Sequence, residues 1–251
     1  MGIIIKTEEE IKIMREGGKI LGATLDEICK RAKAGVTTYE LGEFAEKFIK
    51  KHNAIPGFKG YGGFPGAICT GVNEEVVHGI PKKDKYLQEG DLFTVDCGVI
   101  YKGFYTDAAR SIGVGKVSEE KEKLIKTAKE ALSGAINISK PGTKVSKLGE
   151  IIEKIVKKAG FTIIRNLTGH GIGKKLHEDP IILNYKNNEI DAILQEGMTI
   201  AIEPIFCTGN GEIKELSDKW TIITRDLSPS VQEENTILIT QNKPEILTRP
   251  Q

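Results

Sequence analysis

A repeat narrows the fold of this chain more than any other feature. KAGVTTYELGEFAEKFIKK (Lys33–Lys51) recurs 107 positions later as KPGTKVSKLGEIIEKIVKK (Lys140–Lys158), with nine of 19 residues identical and the Leu-Gly-Glu triplet in register. Two ordinary Lys/Glu helices could match by composition alone. The same offset, however, lays Glu89-Gly90 over Glu196-Gly197 and Asp96 over Glu203. Spacing shared by separate blocks marks a duplicated supersecondary unit. LFTVDCG then overlies TIAIEPI, a strand with one carboxylate in each half. The predicted organisation is a single α+β domain over residues 1–251. Its halves, roughly 7–113 and 119–241, would pack around one site between them.

Within the first half, LFTVDCGVIYKGFYTDAARSIG (Leu92–Gly113) reads as a β-hairpin turning at Lys102-Gly103. That turn faces Tyr101 with Phe104, Val99 with Thr106 and Gly98 with Asp107. Asp96 lies two residues before Gly98, so the strand period places it on the same face as Asp107, about 7–8 Å away at the backbone. Unpaired buried carboxylates cost several kcal/mol each, and like charges add to this. A wet face would avoid the cost, but Phe93, Val95, Cys97 and Val99 leave neither face looking solvated. A bound cation is the natural compensation, since carboxylates are hard oxygen ligands.

The remaining elements follow from caps and periodicity. Thr7 with Glu10, and Thr37 with Glu40, form capping boxes opening two amphipathic helices. Gly17, Gly18 and Gly22 weaken the first locally and suggest close packing. A Gly/Pro-rich loop then leads to a short strand near Ala67–Thr70. Helices are predicted over Glu119–Ser139 and Val145–Ala159, and strands over Phe161–Ile164, Thr199–Phe206, Trp220–Thr224 and Asn235–Thr240. The balance of 36 Lys+Arg against 35 Asp+Glu gives a net charge of +1 and indicates no direct binding to nucleic acid or membrane. Four scattered cysteines without CxxC spacing fit a reducing compartment. MGIIIKTEEE lacks a signal-peptide core, so a cytoplasmic location is expected.

The other half of a metal site is sought among the histidines. His78 (VVHGIP), His170 (LTGHGIGKK) and His177 (KKLHEDP) sit beside glycine or proline, whereas His52 ends a Lys-rich helix and reads as a surface residue. With Asp96, Asp107, Glu203 (AIEP) and Glu234 (QEENT) they give four carboxylates and two or three imidazoles. Four such charges balance two divalent cations and would repel one another strongly without them.

The strings CTGVNEEVVHGIP, VDCGVIYKGFYTDAARS, TGHGIGKKLHEDP, AIEPIF and EENT resemble the motifs of type I methionine aminopeptidases of the short bacterial form, in order and spacing along nearly the whole chain. The resemblance implies the pita-bread fold of creatinases and aminopeptidases, with pseudo-symmetric halves around a central antiparallel sheet. It implies that Asp96, Asp107, His170, Glu203 and Glu234 hold two divalent ions (Co, Mn, Fe, Ni or Zn). Asp107 and Glu234 would bridge them, Asp96 would bind one, and His170 with Glu203 the other. The implied reaction is hydrolysis of the initiator methionine from nascent polypeptides with a small second residue. Its water would be activated at the dinuclear centre, with Glu203 as proton shuttle. His177 would stabilise the oxyanion and His78 would position the substrate amide. Tyr61, Phe64, Cys69 and Trp220 match positions of the methionine pocket, and Phe58 is a further candidate; Trp220 reads equally well as a core residue. Asn235 stands where the family more often has His, and Leu176 where some members have an aromatic. A monomer working near the ribosomal exit tunnel is expected. The alternatives on this fold are a prolidase-type dipeptidase, for whose extra N-terminal domain the chain has no room, and a non-catalytic peptide-binding relative.

Overall fold

Both predicted capping boxes form. The Thr7 hydroxyl accepts the Glu10 N–H while the Glu10 carboxylate takes the Thr7 N–H, opening α1 (Glu8–Arg31). Thr37 and Glu40 open α2 (Thr38–Lys51) in the same way. These elements belong to a computed structural model that describes residues 2–187 and 192–249. The first half continues through β1 (Ile55–Pro56), β2 (Cys69–Val72), β3 (Glu75–Val77), β4 (Leu92–Tyr101) and β5 (Phe104–Gly113). The second contains α3 (Glu119–Ile138), α4 (Val145–Lys158), β6 (Thr162–Ile163), β7 (Thr168–Gly171) and β8 (Glu178–Leu183). It then adds β9 (Thr199–Ile202), β10 (Ile205–Cys207), β11 (Ile213–Glu215), β12 (Ile222–Thr224), β13 (Ser230–Gln232), β14 (Asn235–Leu238) and β15 (Glu245–Ile246).

The 107-residue offset carries into three dimensions. It maps α2 onto α4, β1 onto β6, and the first residue of β4 onto that of β9. Isolated bridges join Thr37 to Tyr86 and Lys144 to Ile193, again at that spacing. In each half helices pack against a sheet. β4 pairs with β5 on one edge and with β2 and β1 on the other, and the second sheet runs β15-β14-β9-β7-β8, all its pairs antiparallel. One apolar core holds Leu21, Leu25, Leu41, Phe93 and Val95; another holds Leu124, Leu148, Ile152, Ile200 and Ile237. A third cluster, including Met14, Phe58, Phe64, Leu176 and Leu238, draws on both halves.

The hairpin has the predicted register. Gly98 faces Asp107 and Asp96 faces Ala109, with Lys102 and Gly103 at φ 46° and 83° making the turn. The glycines of α1 leave the helix unbroken and serve packing: a Cβ on Gly18 would lie 2.2 Å from the Leu247 carbonyl oxygen. Two expectations are corrected. The early strand is Cys69–Val72 rather than Ala67–Thr70, set by Cys69 pairing with Asp96. Thr199–Phe206 is two strands, not one, because Pro204 has no N–H to donate; β9 and β10 enter different sheets with Glu203 at the break. Among the described residues no helix is long and apolar enough to cross a membrane.

Candidate metal centre

β5 of the first sheet and β14 of the five-stranded sheet come together beside the acidic residues. Thr236 on β14 accepts the Asp107 N–H at 2.8 Å and donates its own hydroxyl to the Asp107 carbonyl at 2.7 Å. Glu234 N–H donates to Ala109 O at 3.0 Å, clamping the two carboxylates from the other side. His170 on β7 lies across from Ala201 on β9, two residues before Glu203. Asp107, His170 and Glu234 thereby offer ligand atoms that all lie within 4.8 Å of one another, and all three are buried. The Asp96 and Asp107 carboxyls lie close enough for each to shift the other's titration, and the Glu203 carboxylate lies 3.7 Å from His170 Nε2. All five line one cavity of about 540 Å³, as do His78, His177, Tyr61, Phe64, Cys69, Trp220 and Phe58.

The chemistry of this cluster asks for cations. Oδ1 of Asp96, Oδ1 of Asp107 and Oε1 of Glu234 are sealed from solvent without a hydrogen-bond partner. Native proteins seldom leave such atoms unsatisfied. Burial pushes the Asp96 carboxyl up to about 7. Burial and then the charges of Glu234 and Asp96 push Asp107 well above the usual carboxylate range. Glu203 and Glu234 are raised for the same reasons, burial first and neighbouring carboxylates next. His170 is the complement: burial holds it down at about 4, so the ring is neutral at pH 7. Its Nδ1 lies 2.9 Å from the Gly171 carbonyl, which can only accept, so the hydrogen sits there and Nε2 offers a lone pair. A neutral imidazole among hard oxygen donors suits a first-row divalent cation.

The positions around the ligands explain how they are held, and sequence reasoning missed them. Gln232 donates to Glu203 Oε2 at 3.3 Å, and Asn184 donates to the Glu203 carbonyl at 2.9 Å. Arg110 donates to the Glu234 carbonyl at 2.6 Å and to Asn235 Oδ1 at 2.9 Å. Asn235 therefore anchors the arginine that fixes the Glu234 backbone, and Thr248 donates to the same Oδ1. Arg110 follows from the hairpin alternation as an outward residue; only the tertiary pairing with β14 reveals its partner.

The walls differ in character. Phe58, Phe64, Cys69 and Leu176 form part of one buried apolar cluster, with Trp220 packed against it. The Phe64 and Trp220 rings meet edge-on at 5.1 Å. Leu176 thus supplies apolar wall where an aromatic was noted as the alternative. His177 is exposed to the cavity, its Nδ1 3.0 Å from the Tyr61 hydroxyl and its ring 4.5 Å from that of His170. His78 takes a left-handed backbone (φ 58°) so that Gly79 can abut Thr70, and it lines the same cavity.

The sequence model of metallopeptidase family M24 matches residues 12–241. The chain belongs to metallopeptidase family M24. It is 48% identical over 246 residues to a methionine aminopeptidase of Clostridium acetobutylicum, covering 98% of each chain. A crystal structure of methionine aminopeptidase from Thermotoga maritima superposes with a TM-score of 0.97 at 42% identity, covering 99% of this chain and 100% of that one. A prolidase from Pyrococcus furiosus shares the fold at a TM-score of 0.79 and 27% identity, covering 99% of this M24 chain but 66% of the prolidase. The architecture is the pita-bread fold of the M24 enzymes, and the family implies divalent metal ions at the cluster just described.

Proposed function

We propose that this M24 enzyme removes an N-terminal methionine from polypeptides whose second residue is small. The observation that carries the proposal is the placement of Asp107, His170 and Glu234, with Asp96 and Glu203 beside them, at the base of a cavity whose neighbouring wall is Phe58, Phe64, Cys69 and Trp220. A dead-end apolar wall with a thiol and aromatic edges suits a thioether side chain. The five ligands would hold a pair of divalent ions, drawn from Co, Mn, Fe, Ni and Zn, with Asp107 and Glu234 shared. Bound cations of this kind polarise a carbonyl and lower the pKa of water.

The chain's own residues supply the rest. Glu203, buried and held by Gln232, is placed to accept a proton at its carboxylate and return it to the leaving amine. The Tyr61 hydroxyl lies 3.0 Å from Nδ1 of His177 and can serve it in either tautomer; in the one with the hydrogen on Nε2, the ring donates to the oxygen that gains charge. Partial desolvation against the cavity wall lowers the His177 pKa below its ordinary value, so at pH 7 it acts as a hydrogen-bond donor rather than a cation. His78 stands beside it to hold the substrate amide. By its likeness to bacterial methionine aminopeptidases, the expected setting is a cytoplasmic monomer acting on nascent chains near the ribosome.

The test is hydrolysis of Met-Ala-Ser by protein reconstituted with Mn²⁺ or Co²⁺. Release of free methionine is the expected result. Cleavage of X-Pro dipeptides alone would place the chain with the prolidases, and binding without turnover would make it a non-catalytic relative.

A further inference from the structure

The methionine pocket is closed, with Phe64 and Cys69 only 3% and 6% exposed, so the rest of a polypeptide substrate must leave over an open rim. That rim includes Gly2 and Ile4, together with Leu167 and Ile181. Ile4 and Ile181 leave 42% and 46% of their surface accessible. Large apolar side chains gathered at the mouth of a site mark a surface waiting for a partner.

The strap Gly2–Lys6 is fastened there by buried chemistry. Lys6 Nζ, on a side chain 2% exposed, donates to Glu178 Oε2 at 2.6 Å and to the Ile4 carbonyl at 3.2 Å. The other Glu178 oxygen accepts the Lys175 N–H at 3.1 Å. One ammonium therefore ties the backbone of Ile4 to the residue that follows His177. The Lys6 N–H also donates to Gly197 O at 2.9 Å. Gly173 leaves the path clear, since a Cβ there would lie 2.5 Å from Lys6 Cε.

We propose that Ile4, with Leu167 and Ile181, forms an apolar subsite for the substrate residues beyond the second, giving the enzyme a preference for apolar side chains there. The inference rests on the aminopeptidase reading of the same cavity. The occupant is the substrate chain itself, because the subsite is continuous with the cavity holding His177 and the carboxylates. Lys6 acts through Ile4 and the His177 segment and is a positioning residue.

The experiment compares Mn²⁺-loaded wild type, Ile4→Asp and Ile181→Asp on Met-Ala-Leu-Leu-Ser and Met-Ala-Asp-Asp-Ser. Wild type should favour the leucine peptide in kcat/KM by about tenfold, the scale of one or two methylenes partly buried at an open rim. Each variant should bring that ratio close to one, and the ratio divides out any general loss of active protein. Ile55→Asp, at an isoleucine 61% exposed and away from the cavity, should keep the wild-type ratio. A wild type without preference, or variants that retain it, would overturn the subsite. Failure of wild type to release methionine from Met-Ala-Ser would instead overturn the aminopeptidase reading.

Discussion

Stripping the metal should make the protein lose stability as pH rises, and the site's geometry sets how fast. Burial holds Asp96 at about 7, and burial with mutual repulsion holds Asp107, Glu203 and Glu234 well above their ordinary range. In the unfolded chain all four carboxyls titrate near 4. The metal-free folded state therefore binds more protons than the unfolded state above that pH. Each extra proton costs about 1.4 kcal/mol of stability per pH unit. His170, held down at about 4, runs the other way, but mainly below the ordinary histidine value near 6.5. His78 and His177, also lowered by burial, run the same way as His170, and all three fade within about one unit above 6.5, leaving the carboxylates dominant in the window up to pH 8. One retained proton predicts a loss of about 2 kcal/mol across that window, and two predict about 4. For a chain of this size, 2 kcal/mol is about 4–8 °C in melting temperature. Urea unfolding and calorimetry of chelator-treated protein at pH 6.5 and 8 measure it. Saturating Mn²⁺ should flatten the slope, because ions then replace the protons. A metal-free protein whose stability is level or rises across the window would refute the reasoning.

Three substitutions probe separate parts of the account. His177→Ala should lower kcat on Met-Ala-Ser about 10²–10³-fold, the usual effect of losing an oxyanion donor. Its metal content by elemental analysis should be unchanged, and loss of metal would make His177 a ligand. Lys6→Met leaves Glu178 charged, buried and unpaired, and should cost about 3–5 kcal/mol in urea unfolding, with Lys6→Arg recovering part of it. An unmoved midpoint would show the pair to be incidental. Gly18→Ala forces a Cβ onto the Leu247 carbonyl and should destabilise by about 1–3 kcal/mol, read from the thermal midpoint.

Local rules carried much of the fold because they are set by neighbours in sequence. The capping boxes at Thr7 and Thr37 and the turn at Lys102-Gly103 are satisfied within a few residues, and each appears where its residue types place it. The repeat was legible because duplication preserved spacing as well as composition. Strand limits were less so. β2 takes its bounds from pairing with β4, a partner remote in sequence, and β9 ends at Ile202, just before Glu203-Pro204, whose effect a run of apolar residues conceals. The candidate ligands were visible as acids and imidazoles in apolar or glycine-rich surroundings. Gln232, Arg110 and Asn184, which hold them, carry no such signal; Arg110 finds its partners only once β5 and β14 lie side by side, and Gln232 and Asn184 only once the chain brings them to Glu203.

Titrating Mn²⁺ or Co²⁺ into chelator-treated wild type, Asp107→Ala and Glu234→Ala asks whether those two acids are shared by a pair of ions. Calorimetry should find a pair of ions in wild type and neither of them tightly held in either variant, with turnover lost in parallel. A variant that still takes up both ions with wild-type affinity would contradict the shared centre on which the account rests.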